Sequence, residues 1–166
     1  MTVETPEKGE YQRLETLEDN RRAAGEVARV AKRELALFSR DLEPLLYDRD
    51  DFISAVQALA TRSRMSRIRI IAIDPGPSIR AAHRLVNLAQ RFSSFIEVRR
   101  AAHDHAEVSE TFLVADETGV LYRPISSRYE GYAGVHLPME ARLHLKTFEG
   151  IWTLAEPDVE FRRLGI

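Results

Sequence analysis

The alternation of short apolar runs with stretches of helical periodicity constrains the fold more than any other feature of this sequence. Five runs are rich in β-branched and aromatic residues and predict strands: ELALF, RIRIIAID, SFIEVRR, TFLVA and VLYRPI. Apolar residues at helical spacing follow the first and second runs and recur over Met139–Leu154. The predicted order is therefore β-α-β-α-β-β-β-α. Helical crossovers make the first three strands parallel, and the short DETG turn makes the last two an antiparallel hairpin, so we expect an α/β sandwich with a mixed sheet.

The first 33 residues have a different character from the rest of the chain. Residues 1–9 are polar, which predicts disorder, and Glu10–Lys32 carries a thin apolar stripe typical of a helix that packs only in part. The alternative interpretation is that this segment is a linker from an upstream module. We expect a partly packed N-terminal segment over residues 1–33 and one α/β domain over residues 34–166.

Composition excludes several classes of protein. No apolar run approaches the roughly 20 residues that a membrane span needs, and the acidic first residues do not resemble a signal peptide. The chain has no cysteine, which removes disulfides and thiolate chemistry and favours a cytoplasmic protein. Residues 61–100 contain nine arginines against only Asp74 and Glu97, a bias that predicts an anion-binding face. The alternative is that arginine is simply the preferred cation of this chain and that most of these side chains are solvated.

Charged residues follow the predicted strands at the edge where ligands bind in open α/β sheets, beyond the carboxyl ends of the parallel strands. Arginine forks bind phosphate and carboxylate groups through paired hydrogen bonds. We therefore predict an anionic ligand, either nucleic acid, a nucleotide or a lipid head group. The alternative is that these charged residues pair with one another and hold the sheet edge together. The predicted ligand-binding residues are Arg40, Asp41, Asp74, Arg84, Arg99, Arg100, Arg123 and Arg128.

Other motifs in the sequence give weaker indications of a functional site. His103 and His105 could face one metal ion, but the sequence contains no cysteine and does not specify the remaining ligands of a closed site, so a loop is the better interpretation. His83 lies on a predicted helix, where a packing role is more usual than catalysis, yet it is the weak candidate for a catalytic histidine. The segment RYEGYA matches part of a coenzyme A pyrophosphate motif, but Gly134 and Pro138 interrupt the helix that this motif requires. The sequence contains neither a Walker loop nor a glycine-rich dinucleotide turn, so we predict no metal and no cofactor.

With this topology and edge, the segment Glu34–Pro157 resembles one half of a phospholipase D-like domain. In that superfamily a hairpin carries His-x-Lys-x4-Asp, whose histidine attacks a phosphodiester. Here Asp116 keeps its identity, but Ser109 and Thr111 occupy the histidine and lysine positions. The chain is also similar to an uncharacterised bacterial family of such domains, sometimes associated with acetyltransferases. The segments that carry this second resemblance are SRDL at Ser39–Leu42, HRL at His83–Leu85, LYRP at Leu121–Pro124 and RYEG at Arg128–Gly131.

Three functions remain open from the sequence. The first is a non-catalytic phospholipase D-like domain that binds an anionic ligand, because serine and threonine cannot replace the nucleophile and the cation of the motif. The second is a divergent phosphodiesterase that uses His83, or His103 and His105. The third is an interaction module, in which the first and last helices mediate homodimerisation or docking to an acetyltransferase.

Overall fold

The computed structural model describes residues 11–81 and 83–158, in which strands form one mixed sheet with the order β1-β7-β6-β5-β2-β3-β4-β8. The strands are β1 (Gln12–Leu14), β2 (Glu34–Ser39), β3 (Arg67–Ala72), β4 (Ile96–Arg100), β5 (Thr111–Ala115), β6 (Gly119–Arg123), β7 (Gly131–Gly134) and β8 (Glu156–Pro157). The helices are α1 (Leu17–Val30), α2 (Pro44–Tyr47), α3 (Asp50–Arg62), α4 (Gly76–Arg80), α5 (Arg84–Arg91) and α6 (Pro138–Leu154), and His103–His105 forms one 3₁₀ turn.

The sheet is covered by helices on both faces. Strands β2, β3 and β4 are parallel, and the other pairings are antiparallel. On one face, Leu35 and Leu37 of β2 pack in a core with α1, α3 and α5, while Phe38 of β2 packs with α6 on the other face. Successive residues of a strand point to opposite faces, so the apolar run ELALF supplies both cores. The predicted α/β sandwich with a mixed sheet is confirmed.

The N-terminal segment differs from the prediction of a helix over Glu10–Lys32. Residues 12–14 form strand β1 at the edge of the sheet, and α1 begins only at Leu17. The reason is a capping box: the Thr16 side chain accepts from the backbone N–H of Asp19, and the Asp19 carboxylate accepts from the N–H of Thr16. The predicted disorder of residues 1–9 lies outside the described residues.

Helix α1 is buried more extensively than its thin apolar stripe suggested. It packs against α3 and against strands β5, β6 and β7. A Cβ atom at Gly25 would lie 2.6 Å from an Asp51 carboxylate oxygen, which shows how closely α1 and α3 approach. Small side chains allow this approach but add little to an apolar pattern, which explains why the stripe looked thin. The residues that α1 buries are Asn20, Ala23, Ala24, Gly25, Val27 and Ala28.

Two other predicted elements are corrected by the structure. The helix expected over about Ser78–Phe92 consists of α4 and α5, because His83 caps the start of a new helix. The loop expected over residues 126–138 contains β7, which pairs with both β1 and β6. Strand β7 has the sequence GYAG, whose two glycines disfavour a strand by local propensity, so its pairing partners determine its conformation.

Candidate functional site

The centre of the candidate site is an ion pair between Arg123, at the end of β6, and Glu43, in the loop after β2. Nη2 of Arg123 donates to one carboxylate oxygen of Glu43 at 2.7 Å, and Nη1 donates to the other at 3.1 Å. The Arg123 side chain is fully buried, whereas that of Glu43 is 17% exposed. Burial raises the pKa of Glu43, and the hydrogen bonds and charge of Arg123 oppose this rise. A buried charge is stable only with a partner of this kind.

Arg123 is held by further contacts from the loop between β6 and β7. Its Nε donates to the carbonyl of Arg128 at 2.7 Å, and Nη2 also donates to the carbonyl of Ser126. The guanidinium lies 5.6 Å from the ring centre of Tyr129. These bonds join Arg123 to two carbonyls of the loop, so Arg123 contributes to the structure of the site as well as to its charge.

The turn that presents Glu43 has an unusual backbone. Leu42 and Glu43 have φ values of 68° and 29°, a region that residues other than glycine rarely adopt. Such residues cost about 1–3 kcal/mol each, cluster at functional sites and persist only where neighbouring contacts fix them. Here the hydroxyl of Ser39 accepts from the N–H of Leu42 at 3.0 Å, and the carboxylate of Asp41 accepts from the N–H of Glu43 at 3.0 Å.

His83 completes this turn through hydrogen bonds at both of its ring nitrogens. One ring nitrogen, Nε2, donates to the carbonyl of Leu42 at 2.9 Å, and Nδ1 accepts from the backbone N–H of Leu85 at 3.1 Å. The side chain is buried, and burial lowers its pKa. Both nitrogens are therefore occupied in a neutral ring that caps α5 and holds the strained turn, which does not support the hypothesis of a His83 base.

A pocket of about 330 Å³ opens beside this turn, at the carboxyl end of β2. Arg40 lies in its wall and is half-buried. Its Nη2 donates to the carbonyl of Ala106 at 2.9 Å, and among the described residues neither Nε nor Nη1 has a hydrogen-bond partner. Arg128 is exposed and lies between two lining residues in the sequence. The lining residues are Leu17, Arg40, Asp41, Glu43, Pro44, Leu45, Leu46, Ser126, Ser127 and Tyr129.

The structure does not bring all the predicted arginines to this pocket. Strands β6 and β4 are four positions apart in the sheet, which corresponds to about 19 Å at the usual strand spacing, so Arg123 and Arg99 cannot contact one small ligand. Arg99 donates to a carboxylate oxygen of Glu97 at 2.7 Å and stacks on Trp152 at 4.0 Å. The prediction grouped all the arginines of the carboxyl edge into one site and did not account for the four strand positions between β6 and β4.

The remaining predicted residues are also spread along the edge. Arg84 forms ion pairs with Asp48 and Asp50 at 2.6 and 2.5 Å, away from the pocket lining. Arg100 lies on β4 and is exposed, next to the short strand β8. Asp74 is exposed, and its backbone N–H donates to the carbonyl of Arg40 at 2.6 Å, so it lies one strand away from the pocket. Of the predicted residues, Arg40, Asp41, Arg123 and Arg128 lie at or beside the pocket.

Ser109, just before β5, and Thr111, the first residue of β5, both have structural contacts. Thr111 is fully buried, and its hydroxyl donates to the carbonyl of Phe38 at 2.7 Å. Ser109 is exposed, and its hydroxyl donates to the carbonyl of Pro124 at 3.2 Å. Among the contacts of the described residues, neither hydroxyl has a histidine or lysine partner that would activate it.

Asp116 lies at the opposite end of the sheet from the pocket, because β5 runs antiparallel to β2. Its carboxylate accepts hydrogen bonds from the backbone N–H groups of Lys32, Arg33 and Glu34 at 2.9, 3.0 and 3.0 Å. Its φ of 53° is tolerated better by aspartate than by most residues. Asp116 thus joins the β5–β6 turn to the start of β2, a larger structural role than the turn position that the sequence suggested.

The His-x-His segment forms a 3₁₀ turn in which His103 is exposed and His105 half-buried. Within residues 11–81 and 83–158, no group of three or more histidine, aspartate or glutamate side chains could hold a metal ion. No helix in the described part of the chain has the length and apolar character of a membrane span.

The four segments that carry the family resemblance meet around this site. Ser39–Leu42 and His83–Leu85 fix the strained turn, while Leu121–Pro124 and Arg128–Gly131 supply Arg123 and the Arg128 carbonyl that its Nε binds. Glu43 is the residue that sequence reasoning missed. Its position directly after SRDL was the available signal, but nothing local shows that it meets Arg123, which is 80 residues away in the chain.

Solved structures place the fold among phospholipase D-like proteins. The chain is similar to Nuc from Salmonella typhimurium, a phospholipase D family member (14% identity, TM-score 0.62, covering 90% of this chain and 97% of that one). It is also similar to NucT from Helicobacter pylori (9% identity, TM-score 0.63, covering 90% and 100%). These identities are low enough that the likeness concerns the fold alone.

A third similar structure is TrmBL2, an archaeal chromatin protein described as showing a novel mode of DNA binding (17% identity, TM-score 0.65). The match covers 94% of this chain but only 57% of TrmBL2. No curated protein matches the chain by sequence. The chain belongs to the family described as a domain of unknown function (DUF7931), whose model matches residues 16–164.

Proposed function

We propose that this chain is a non-catalytic phospholipase D-like domain that binds a phosphate-bearing ligand in the pocket at the carboxyl end of β2. The observation that carries the proposal is Arg40, which lies in the pocket wall with Nε and Nη1 unpaired among the described residues. Free donors of a half-buried guanidinium suit a phosphate oxygen. The exposed Arg128 and the hydroxyls of Ser126 and Ser127 supply further donors beside the pocket.

The other lining residues of the pocket indicate where the non-phosphate part of a ligand would bind. Leu17, Pro44 and Leu45 form an apolar wall, and the Tyr129 ring also lines the pocket. An apolar wall with a few convergent donors is typical of sites for small organic molecules. A nucleotide or a lipid head group has both parts, a phosphate for Arg40 and a larger group for the wall. A nucleic-acid end offers the same chemistry, and TrmBL2, a protein of similar fold, is described as binding DNA.

The proposal of binding without catalysis rests on Ser109 and Thr111. Phosphodiester cleavage of the superfamily type needs a nucleophile and a cation at these positions, and Thr111 is buried with its hydroxyl bonded to a carbonyl. His83, the weak alternative, has both ring nitrogens occupied. The proposed site therefore consists of Arg40, Asp41 and Arg128 around the pocket, with Glu43 and Arg123 at its base.

Titration with inorganic phosphate, a mononucleotide, a short single-stranded DNA and vesicles containing an anionic lipid tests the proposal. We expect saturable binding of at least one of these probes and a loss of about tenfold or more in Arg40→Ala. Arg128→Ala removes an exposed cation at the pocket rim, and we expect a smaller loss. Arg100→Ala is the matched control, because it removes an exposed arginine from the same edge, two strands from Arg40 and outside the pocket lining. Equal losses in the Arg40 and Arg100 variants would show that the pocket is not the site.

A second candidate function is self-association through α6, which carries a second apolar stripe on its outer side. Met139, Leu143 and Leu154 are 74%, 62% and 58% exposed and lie within about 60° of one another around the helix. An antiparallel second copy would place Leu143 against Leu154, and Lys146 of one copy near Glu149 of the other. Light scattering decides this: we expect a dimer that Leu143→Glu dissociates, and a monomeric native protein would refute the candidate. The acetyltransferase partner suggested by the resemblance stays a prediction.

A further inference from the structure

The Arg123–Glu43 pair has the geometry of an arginine bound to a ligand oxyanion. Two amino groups of Arg123 meet the two oxygens of one carboxylate, at 2.7 and 3.1 Å. Phosphate presents the same two-oxygen edge to a guanidinium. Glu43 is itself a lining residue of the pocket, so the carboxylate lies between the buried arginine and the space that a ligand would enter.

Arg123 keeps its position without Glu43. Its Nε and Nη2 donate to the carbonyls of Arg128 and Ser126, and these bonds do not involve the carboxylate. The guanidinium is fully buried and lies beside the Tyr129 ring. A receptor group that its own loop holds in place loses little conformational freedom when a ligand arrives.

The backbone of Glu43 is likewise fixed without its carboxylate. Its N–H is bonded to the Asp41 side chain, and the carbonyl of Leu42 accepts from the buried His83 ring. The turn that holds φ at 29° is therefore maintained by neighbouring side chains rather than by the ion pair. The Glu43 side chain can leave Arg123 by rotation about its own bonds while the turn stays in place.

A buried hydroxyl lies within electrostatic reach of the pair. Tyr47 is fully buried, and its hydroxyl has no hydrogen-bond partner among the described residues. The charges of Glu43 and Arg123 both act on it, and burial raises the pKa of Tyr47. An unsatisfied buried donor of this kind costs free energy.

We infer that Arg123 is a second receptor for the ligand's phosphate, beside Arg40, and that the Glu43 carboxylate occupies the phosphate's place on Arg123 until the ligand displaces it. This inference rests on the proposed function, since it names a further group that binds the phosphate within the same pocket. Glu43 thereby lowers the affinity for anions and keeps the buried guanidinium paired when no ligand is bound. A weak phosphate-bearing compound does not displace Glu43, whereas a ligand that also fills the apolar wall does.

The test compares phosphate binding by Glu43→Ala with binding by the native protein. Inorganic phosphate is the probe, with sodium chloride at equal ionic strength as the reference, and affinity is measured by calorimetry. We expect Glu43→Ala to bind phosphate at least tenfold more tightly, because the competing carboxylate is gone. Glu130→Ala is the matched control, since it removes an exposed carboxylate from the same edge, and it should change the affinity by less than twofold.

The outcomes separate this inference from the proposed function. One outcome is that Arg40→Ala weakens the binding of a probe while Glu43→Ala binds phosphate no more tightly than the native protein does. That result supports the proposed binding site and refutes the displacement of Glu43 by the ligand. If Glu43→Ala unfolds, circular dichroism follows its refolding on addition of phosphate. Recovery of the fold that sodium chloride does not reproduce supports the inference, and failure to recover overturns it.

Discussion

Substitution of Asp116 tests whether its carboxylate has a structural role in joining the β5–β6 turn to the start of β2. Its carboxylate accepts three backbone hydrogen bonds, from Lys32, Arg33 and Glu34. A hydrogen bond contributes about 1 kcal/mol net, and somewhat more when one partner is charged. Asp116 is half-buried, so we assign about 1 kcal/mol of stability to each of its three hydrogen bonds. Alanine also adopts the observed φ of 53° less readily than aspartate does, which adds about 1 kcal/mol.

We therefore expect Asp116→Ala to lower the free energy of unfolding by about 3–4 kcal/mol. Asp116→Gly should cost about 1 kcal/mol less, because glycine accepts positive φ without strain. Asp116→Asn should cost only about 1 kcal/mol, since Oδ1, which accepts from Arg33 and Glu34, is kept and the Oδ2 bond to Lys32 is lost.

Equilibrium unfolding in urea measures these differences, with the denaturant slope held constant across the variants. Glu117→Ala, an exposed neighbour in the same turn, is the control and should remain within about 0.5 kcal/mol of the native protein. The reasoning is refuted if Asp116→Ala costs no more than Glu117→Ala. It is also refuted if the three Asp116 variants unfold at the same midpoint, because then neither the hydrogen bonds nor the backbone strain would matter.

Three further predictions concern buried contacts. Burial lowers the pKa of His83, so the unfolded chain binds a proton more readily than the folded protein does. The stability that this group contributes is complete above pH 6.5 and decreases as the pH falls below that value. We therefore expect the urea midpoint of His83→Gln to fall less between pH 7.5 and pH 5.5 than the midpoint of the native protein. Gly131→Ala places a Cβ atom against the backbone carbonyl oxygen of Tyr122, closer than real contacts allow, and should cost about 3 kcal/mol in thermal unfolding. Gly150→Ala, on an open helix face, should instead stabilise the protein by about 0.5–1 kcal/mol. Thr111→Val removes the buried hydrogen bond to a β2 carbonyl and should cost about 1–2 kcal/mol by urea titration; an unchanged midpoint would show that the bond contributes nothing.

The order of the main elements could be predicted because it depends on local patterns. Runs such as RIRIIAID and TFLVA are apolar and β-branched, and they became β3 and β5. Strands β1, β7 and β8 could not be predicted, because they are two to four residues long and exist through pairing with distant partners. Backbone hydrogen bonds to a neighbouring strand are available to almost any sequence, so they leave little trace in composition.

The sequence was enough to predict the α/β class and the mixed sheet, because both depend on local patterns of strand runs and helical periodicity. It also indicated the carboxyl edge as the place for a ligand. Which arginines lie close together along that edge depends on the tertiary structure, because the distance between Arg99 and Arg123 is set by the number of strands between them. The pairing of Arg123 with Glu43 likewise depends on burial and on a turn that distant side chains hold, and neither is encoded in a local pattern.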